Sequence, residues 1–107
     1  MVDQELDELK REFLAEAEEK VREMQTALSA AKSPDALQRL GYLAHQLKGS
    51  GGSYGYQRIS ADAAEIEKAV ESVEDKGLDA SAEQKIQQHV VSLRAEIESR
   101  VRELGAA

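Results

Sequence analysis

The sequence predicts an all-α fold, an antiparallel up-down four-helix bundle, and three observations carry that expectation. Helix formers such as Ala, Glu, Leu, Gln and Lys are abundant, aromatics make up only 4% and proline occurs once in 107 residues. That mixture favours helix over strand. Apolar residues recur at steps of three and four in four successive segments, the period of one helix face. The segments are separated by short breaks at Pro34, Gly55 and Gly77. Short connections make consecutive helices antiparallel neighbours, and the breaks argue against one long coiled coil. The length suits a single domain over residues 1–107, without internal repeat, linker or low-complexity tract. At this size a core closes only if several helices pool their apolar faces.

The first helix is expected from about Gln4 to Ala31, with Leu6, Leu9, Phe13, Ala17, Met24 and Leu28 on one side. Ser33-Pro34 stops it and starts the next helix as N-cap and first-turn residue. The second helix, from Pro34 to about Tyr54, carries Leu37, Leu40, Ala44 and Leu47, and Gly55 fits its end. The third, from about Tyr56 to Lys76, carries Ile59, Ala63, Ile66, Val70 and Val73 and ends at Gly77. Ser81 with Gln84 reads as a capping box. The last helix then carries Ile86, Val90, Leu93, Ile97, Val101 and Leu104.

Composition removes several functions. The chain has no cysteine, so disulfides, Cys-ligated zinc, iron–sulfur clusters and thiol catalysis are excluded. The formal net charge of −7 argues against nucleic acid as the main partner. No run of about eighteen apolar residues crosses a membrane, and the acidic start at Asp3 and Glu5 does not read as a secretory signal. The expected setting is cytoplasmic.

The second helix departs from a plain bundle. Five of the seven glycines fall between Gly41 and Gly55. Each glycine inside a helix costs about 1 kcal/mol relative to alanine, so a compensating use is expected. A helical wheel places Leu40, Ala44, Leu47 and Gly51 toward the core, where Gly51 fits close helix packing. His45 then points to solvent. Gln38, Gly41, Gly49 and Gly52 fall on its side, so the histidine stands on a strip nearly bare of large side chains. Lys48 lies one turn on, within side-chain reach. Charge singles out the same stretch: from Ala36 to Ala61 there is no Asp or Glu, while Arg39, Lys48 and Arg58 are present. A positive island in an acidic molecule attracts anions.

An exposed imidazole can be a metal ligand, a general base or a nucleophile. Metal binding is disfavoured, because the residues three before His45 and His89 are Tyr42 and Ile86 rather than glutamate. His89 falls on the flank of the last helix and matches no site. General-base catalysis needs a pocket and a second positioned group, whereas the wheel places His45 on a convex face. A convex, bare, positive face lets another protein bring its active site over His45. With Lys48 near and carboxylates absent, the covalent group that fits is phosphoryl. Tyr42, Tyr54 and Tyr56 read as packing or docking-surface residues.

The stretch Ala44-His45-Gln46-Leu47-Lys48-Gly49-Ser50-Gly51-Gly52-Ser53-Tyr54-Gly55 resembles the His-x-[apolar]-Lys-Gly-small-small…Gly motif of histidine-containing phosphotransfer (HPt) domains. Ile66-Glu67 is similar to the family's Leu-Glu-like pair on the following helix. Phe13 to Ala17 and Met24…Leu28 resemble the first helix of such domains, including the phosphoacceptor domain of chemotaxis-type histidine kinases. The resemblance implies that His45 is the phosphoacceptor and that Lys48 neutralises charge on the moving phosphoryl oxygens. It implies that Glu67 hydrogen-bonds the other imidazole nitrogen and that Gly49 leaves room for the partner. Gln46 fits a polar residue at the docking edge, beside Gln38, Gly41 and Gly52.

The chain has no P-loop and no Mg²⁺ carboxylate cluster. The resemblance therefore implies a phosphocarrier in two-component signalling without its own turnover and without an intrinsic cofactor. The partner, a response-regulator receiver domain or a histidine kinase, would bring Mg²⁺ and the acidic pocket. The start at Met1 and the Gly-Ala-Ala end favour a free-standing protein, most simply a monomer, over a domain excised from a larger kinase. The alternative is a helical module that binds a receiver domain with His45 incidental.

Overall fold

The computed structural model describes residues 3–29, 33–74 and 78–105. Four helices account for them: α1 (Asp3–Ser29), α2 (Pro34–Ser53), α3 (Gln57–Glu74) and α4 (Ala80–Gly105). Each packs only on its two neighbours in a closed ring, α1 on α2, α2 on α3, α3 on α4 and α4 on α1. Along α2 and α3, Gly51 meets Ile59, Lys48 meets Ser60, His45 meets Glu67 and Gly41 meets Val70. Residue numbers rise on one helix as they fall on the other, so the pair is antiparallel, as the up-down bundle requires.

Helix boundaries follow local chemistry. Ser33 is extended and its Oγ accepts the Ala36 N–H at 3.1 Å, with Pro34 at the first helical position. α2 ends in a Schellman turn: Tyr56 N–H donates to Gly51 O at 2.8 Å and Gly55 N–H to Gly52 O at 3.1 Å. Gly55 has φ +82°, which a residue with a Cβ adopts only under strain. The start of α4 corrects the sequence reading. Asp79, not Ser81, is the cap, and its Oδ1 accepts the Ala82 N–H at 2.7 Å. Both residues offer a capping oxygen, and Asp79 stands where the helix already closes its first turn, with Glu83 N–H on Asp79 O at 2.9 Å. The expected ends at Ala31, Lys76 and Gly77 lie outside the described residues.

The core follows the apolar periods. Leu40, Leu43, Ala44 and Leu47 of α2 are buried against Ile59, Ala63, Ile66, Val70 and Val73 of α3. α1 contributes Phe13, Leu14, Ala17, Val21, Met24 and Leu28, and α4 contributes Ile86, Val90, Leu93 and Ile97. No polar or charged residue is buried among the described residues. Each large apolar side chain taken fully from water contributes about 1.5–3 kcal/mol, which makes this interior the main source of stability. Leu6 departs from the expected stripe and is exposed, because α1 starts before the α2–α3 turn, which packs at Phe13.

Candidate functional site

The histidine stands where the wheel placed it. Ala44 and Leu47 anchor α2 in the core and turn His45 outward, and 65% of its side chain is accessible. Glu67 reaches it from α3, where Ile66 and Val70 fix the inward face. Glu67 Oε2 lies 2.6 Å from His45 Nδ1, and Glu67 Oε1 lies 2.5 Å from Lys48 Nζ. Two side chains of α2 thus share one carboxylate from α3. The Lys48 ammonium, and then the His45 hydrogen bond, hold the Glu67 carboxyl below its ordinary value, against the opposing cost of removing it from water. An ionised carboxylate only accepts, so Nδ1 carries a proton and donates it to Glu67. In the neutral ring this leaves Nε2 with a bare lone pair turned away from Glu67.

The arrangement is held by a close seam between α2 and α3. A methyl group at Gly51 would come within 3.2 Å of both Ile59 Cγ2 and Ser60 N, so the helices approach more closely here than a side chain ordinarily permits. Ser60 Oγ donates to Lys48 O at 2.8 Å and ties α2 to α3 beside the site. Sequence reading missed Ser60. Antiparallel pairing around the turn at Tyr54–Tyr56 was the signal that sets it opposite Lys48 and Gly52.

The bare strip is narrower than the wheel suggests. At Gly49 a side chain would meet nothing within 4 Å, and Gly52 is exposed with Ser60 Oγ at an ordinary 3.7 Å. Gly41 differs: a methyl there would press Val70 Cγ1 at 3.2 Å. It lies on the α2–α3 seam, because the wheel of one helix cannot register how far its neighbour wraps. Gln38 is exposed, and the half-exposed Gln46 donates from Nε2 to Tyr42 Oη at 2.9 Å. Tyr54 and Tyr56 stack on Phe13 with ring centroids 5.1 and 5.8 Å apart, which makes them packing residues, whereas Tyr42 is exposed. His89 is half-buried on α4, apart from the site.

The expected positive island is mostly neutralised in space. Arg39 pairs with Glu23 of α1 and Lys48 with Glu67. Arg58 forms no ion pair among the described residues. No group of three or more metal-ligating side chains occurs among them either. Clefts lined by Gln25, Val90 and Val91, and by Arg11, Leu14 and Leu104, lie between α1 and α4 and contain none of His45, Lys48 or Glu67. The histidine is therefore a surface group with one orienting partner, suited to chemistry completed by a visiting molecule.

Comparison with protein families yields a match to the Hpt domain over residues 8–106. The chain belongs to the Hpt domain family. No curated protein and no solved structure matches it significantly. Hpt domains are helical phosphocarrier modules of two-component systems that interact with kinases and receiver domains. The four-helix ring agrees with that membership. No helix in the described part of this Hpt domain is long and apolar enough to cross a membrane.

Proposed function

We propose that residues 1–107 form one cytoplasmic Hpt module that relays a phosphoryl group on His45, exchanging it with the aspartyl phosphate of a response-regulator receiver domain or taking it from a kinase. The observation that carries this reading is the outward imidazole whose Nδ1 is bound to Glu67, which leaves Nε2 as the nucleophilic atom.

The Nε2 lone pair attacks phosphorus in line, and the bond from phosphorus to the aspartyl oxygen breaks. The aspartate leaves with the electron pair as a carboxylate. The ring keeps its Nδ1 proton and gains positive charge, which the Glu67 carboxylate stabilises as it develops. The transition state of phosphoryl transfer is loose and highly charged, so positioning and electrostatics supply most of the rate. Lys48, within one turn of His45, offers a cation to the phosphoryl oxygens. It does so at the expense of its bond to Glu67, which remains on the ring. The partner supplies Mg²⁺ and the acidic pocket, so the module has no turnover of its own. Gly49 and Gly52, with Gln38, Gln46 and the seam residue Gly41, form or border the surface on which the partner sits.

The test is transfer of labelled phosphate from a phosphorylated receiver domain. Wild type should acquire acid-labile, alkali-stable label, and His45→Gln none. Equal labelling of the variant would remove His45 from the mechanism.

A further inference from the structure

Tyr42 is left unexplained by the chemistry of His45. Among the described residues it is one of three exposed large apolar residues, with 52% of its surface accessible, and the only one of them on α2. The other two, Leu6 and Val91, lie on α1 and α4. Unlike an ordinary surface aromatic, the ring is held on both sides. Gln46 Nε2 donates to its Oη at 2.9 Å, and the Arg39 guanidinium lies 5.4 Å from the ring centroid. Arg39 is itself tied to Glu23 of α1. Part of the entropy that an aromatic side chain loses when a partner covers it is already lost here.

Position adds a second argument. Tyr42 precedes His45 by three residues, so the two side chains are neighbours on the helix surface, about 5–6 Å apart at Cβ. A body large enough to hold an acidic phosphoryl site over Nε2 has to cover Tyr42 as well. Charge adds a third. No carboxylate occurs on α2 from Ala36 to Ser53. The two carboxylates that pair with cations of α2 from other helices, Glu23 and Glu67, are each occupied. An acidic partner surface therefore meets no carboxylate from α2 itself around Tyr42, although the whole chain carries −7.

We infer that Tyr42 is the aromatic anchor, and a specificity determinant, of the surface on which a receiver domain docks, its ring filling an apolar depression beside the partner's acidic phosphoryl site. The inference rests on the phosphorelay reading of His45 and adds the residue that carries partner affinity. Buried aromatic anchors dominate such interfaces, while surrounding contacts are nearly neutral.

The experiment is phosphotransfer to the full chain from receiver domains charged with acetyl phosphate, using the receiver that labels wild type fastest and varying its concentration. Tyr42→Ala should raise the half-saturating receiver concentration on the order of tenfold or more, with the plateau rate retained. Tyr42→Phe, which keeps the ring, should stay within about twofold of wild type. Val91→Ala, an exposed apolar truncation on α4, should match wild type, and thermal unfolding of all three variants should report intact folds. An unchanged half-saturation in Tyr42→Ala overturns the anchor and leaves the role of His45 standing. A lowered plateau at unchanged half-saturation also overturns it, because Tyr42 would then act on the chemical step. Absence of label on wild type with every receiver overturns the relay reading and the anchor with it.

Discussion

Glu67 is the residue through which the site's electrostatics pass. Its two oxygens hold Lys48 and His45, so its charge state sets the position of a cation and the tautomer of an imidazole together. Because the Lys48 ammonium foremost, and the His45 bond after it, lower the carboxyl from its ordinary 4.5, the folded state binds this proton more weakly than the unfolded chain. The resulting stabilisation is complete above about pH 4.5 and declines as pH falls through the depressed folded value. Glu67→Gln resembles the protonated acid. Its deficit in urea midpoint relative to wild type should be constant from neutral pH to about pH 5 and shrink below that. A deficit that grows on acidification would contradict the assignment. His45 was legible from a one-helix wheel, and Glu67 from the family motif. The bond between Glu67 and Lys48 was not, because the wheel assigns Lys48 to its own helix and is blind to a carboxylate arriving from α3. The same blindness made Arg39 look unpaired, since Glu23 lies sixteen residues earlier.

At the scale of the element, the glycines of α2 divide by what faces them. Gly51 abuts Ile59 and the backbone of Ser60, whereas Gly49 faces open space in the same helix. Gly51→Ala should therefore lower stability by about 1–3 kcal/mol, because Ser60 N belongs to a helix backbone that cannot yield cheaply. Gly49→Ala should raise it by about 0.5–1 kcal/mol, since alanine loses less backbone entropy in a helix. Chemical denaturation of the two variants measures both, and matching signs would refute the division. The helices themselves were readable. Ser33-Pro34, Gly55 and the run from Ile59 to Val73 each have a local cause that the structure reproduces. The α4 cap was misread because Asp79 and Ser81 both present acceptors, and only the backbone decides which one precedes the first helical turn. Gly41 was misread because its neighbour, Val70, belongs to another element.

The whole molecule is an elongated ring of four helices, 48 Å along its longest axis and 21 and 18 Å across. α1 and α4 are the long members, with 27 and 26 residues against 20 and 18 for α2 and α3. The α2–α3 turn packs at Phe13, so the first turns of α1 extend past it, and Arg11, already at the end of α4, reaches Leu104 O. Amide hydrogen exchange should follow this inequality. Amides from Leu43 to Leu47 and from Ala63 to Val70, set in the four-helix section, should exchange most slowly, and those of α1 before Leu9 among the fastest. Uniform protection along α1 would show that the projecting turns are as firmly held as the core. Overall architecture was legible because apolar period and short breaks are sequence-local. The greater length of α1 over α2 and α3 was legible for the same reason, since the breaks at Pro34, Gly55 and Gly77 set it.

One consequence follows from the way α2 presents its histidine. The imidazole stands on a ridge, with its ring already tethered through Nδ1. Among the described residues no flap covers it, and no hinge has to swing before a visitor arrives. Access to that ring is then a matter of how often two bodies collide in a productive orientation, of diffusion and steering, rather than of an opening motion within the chain.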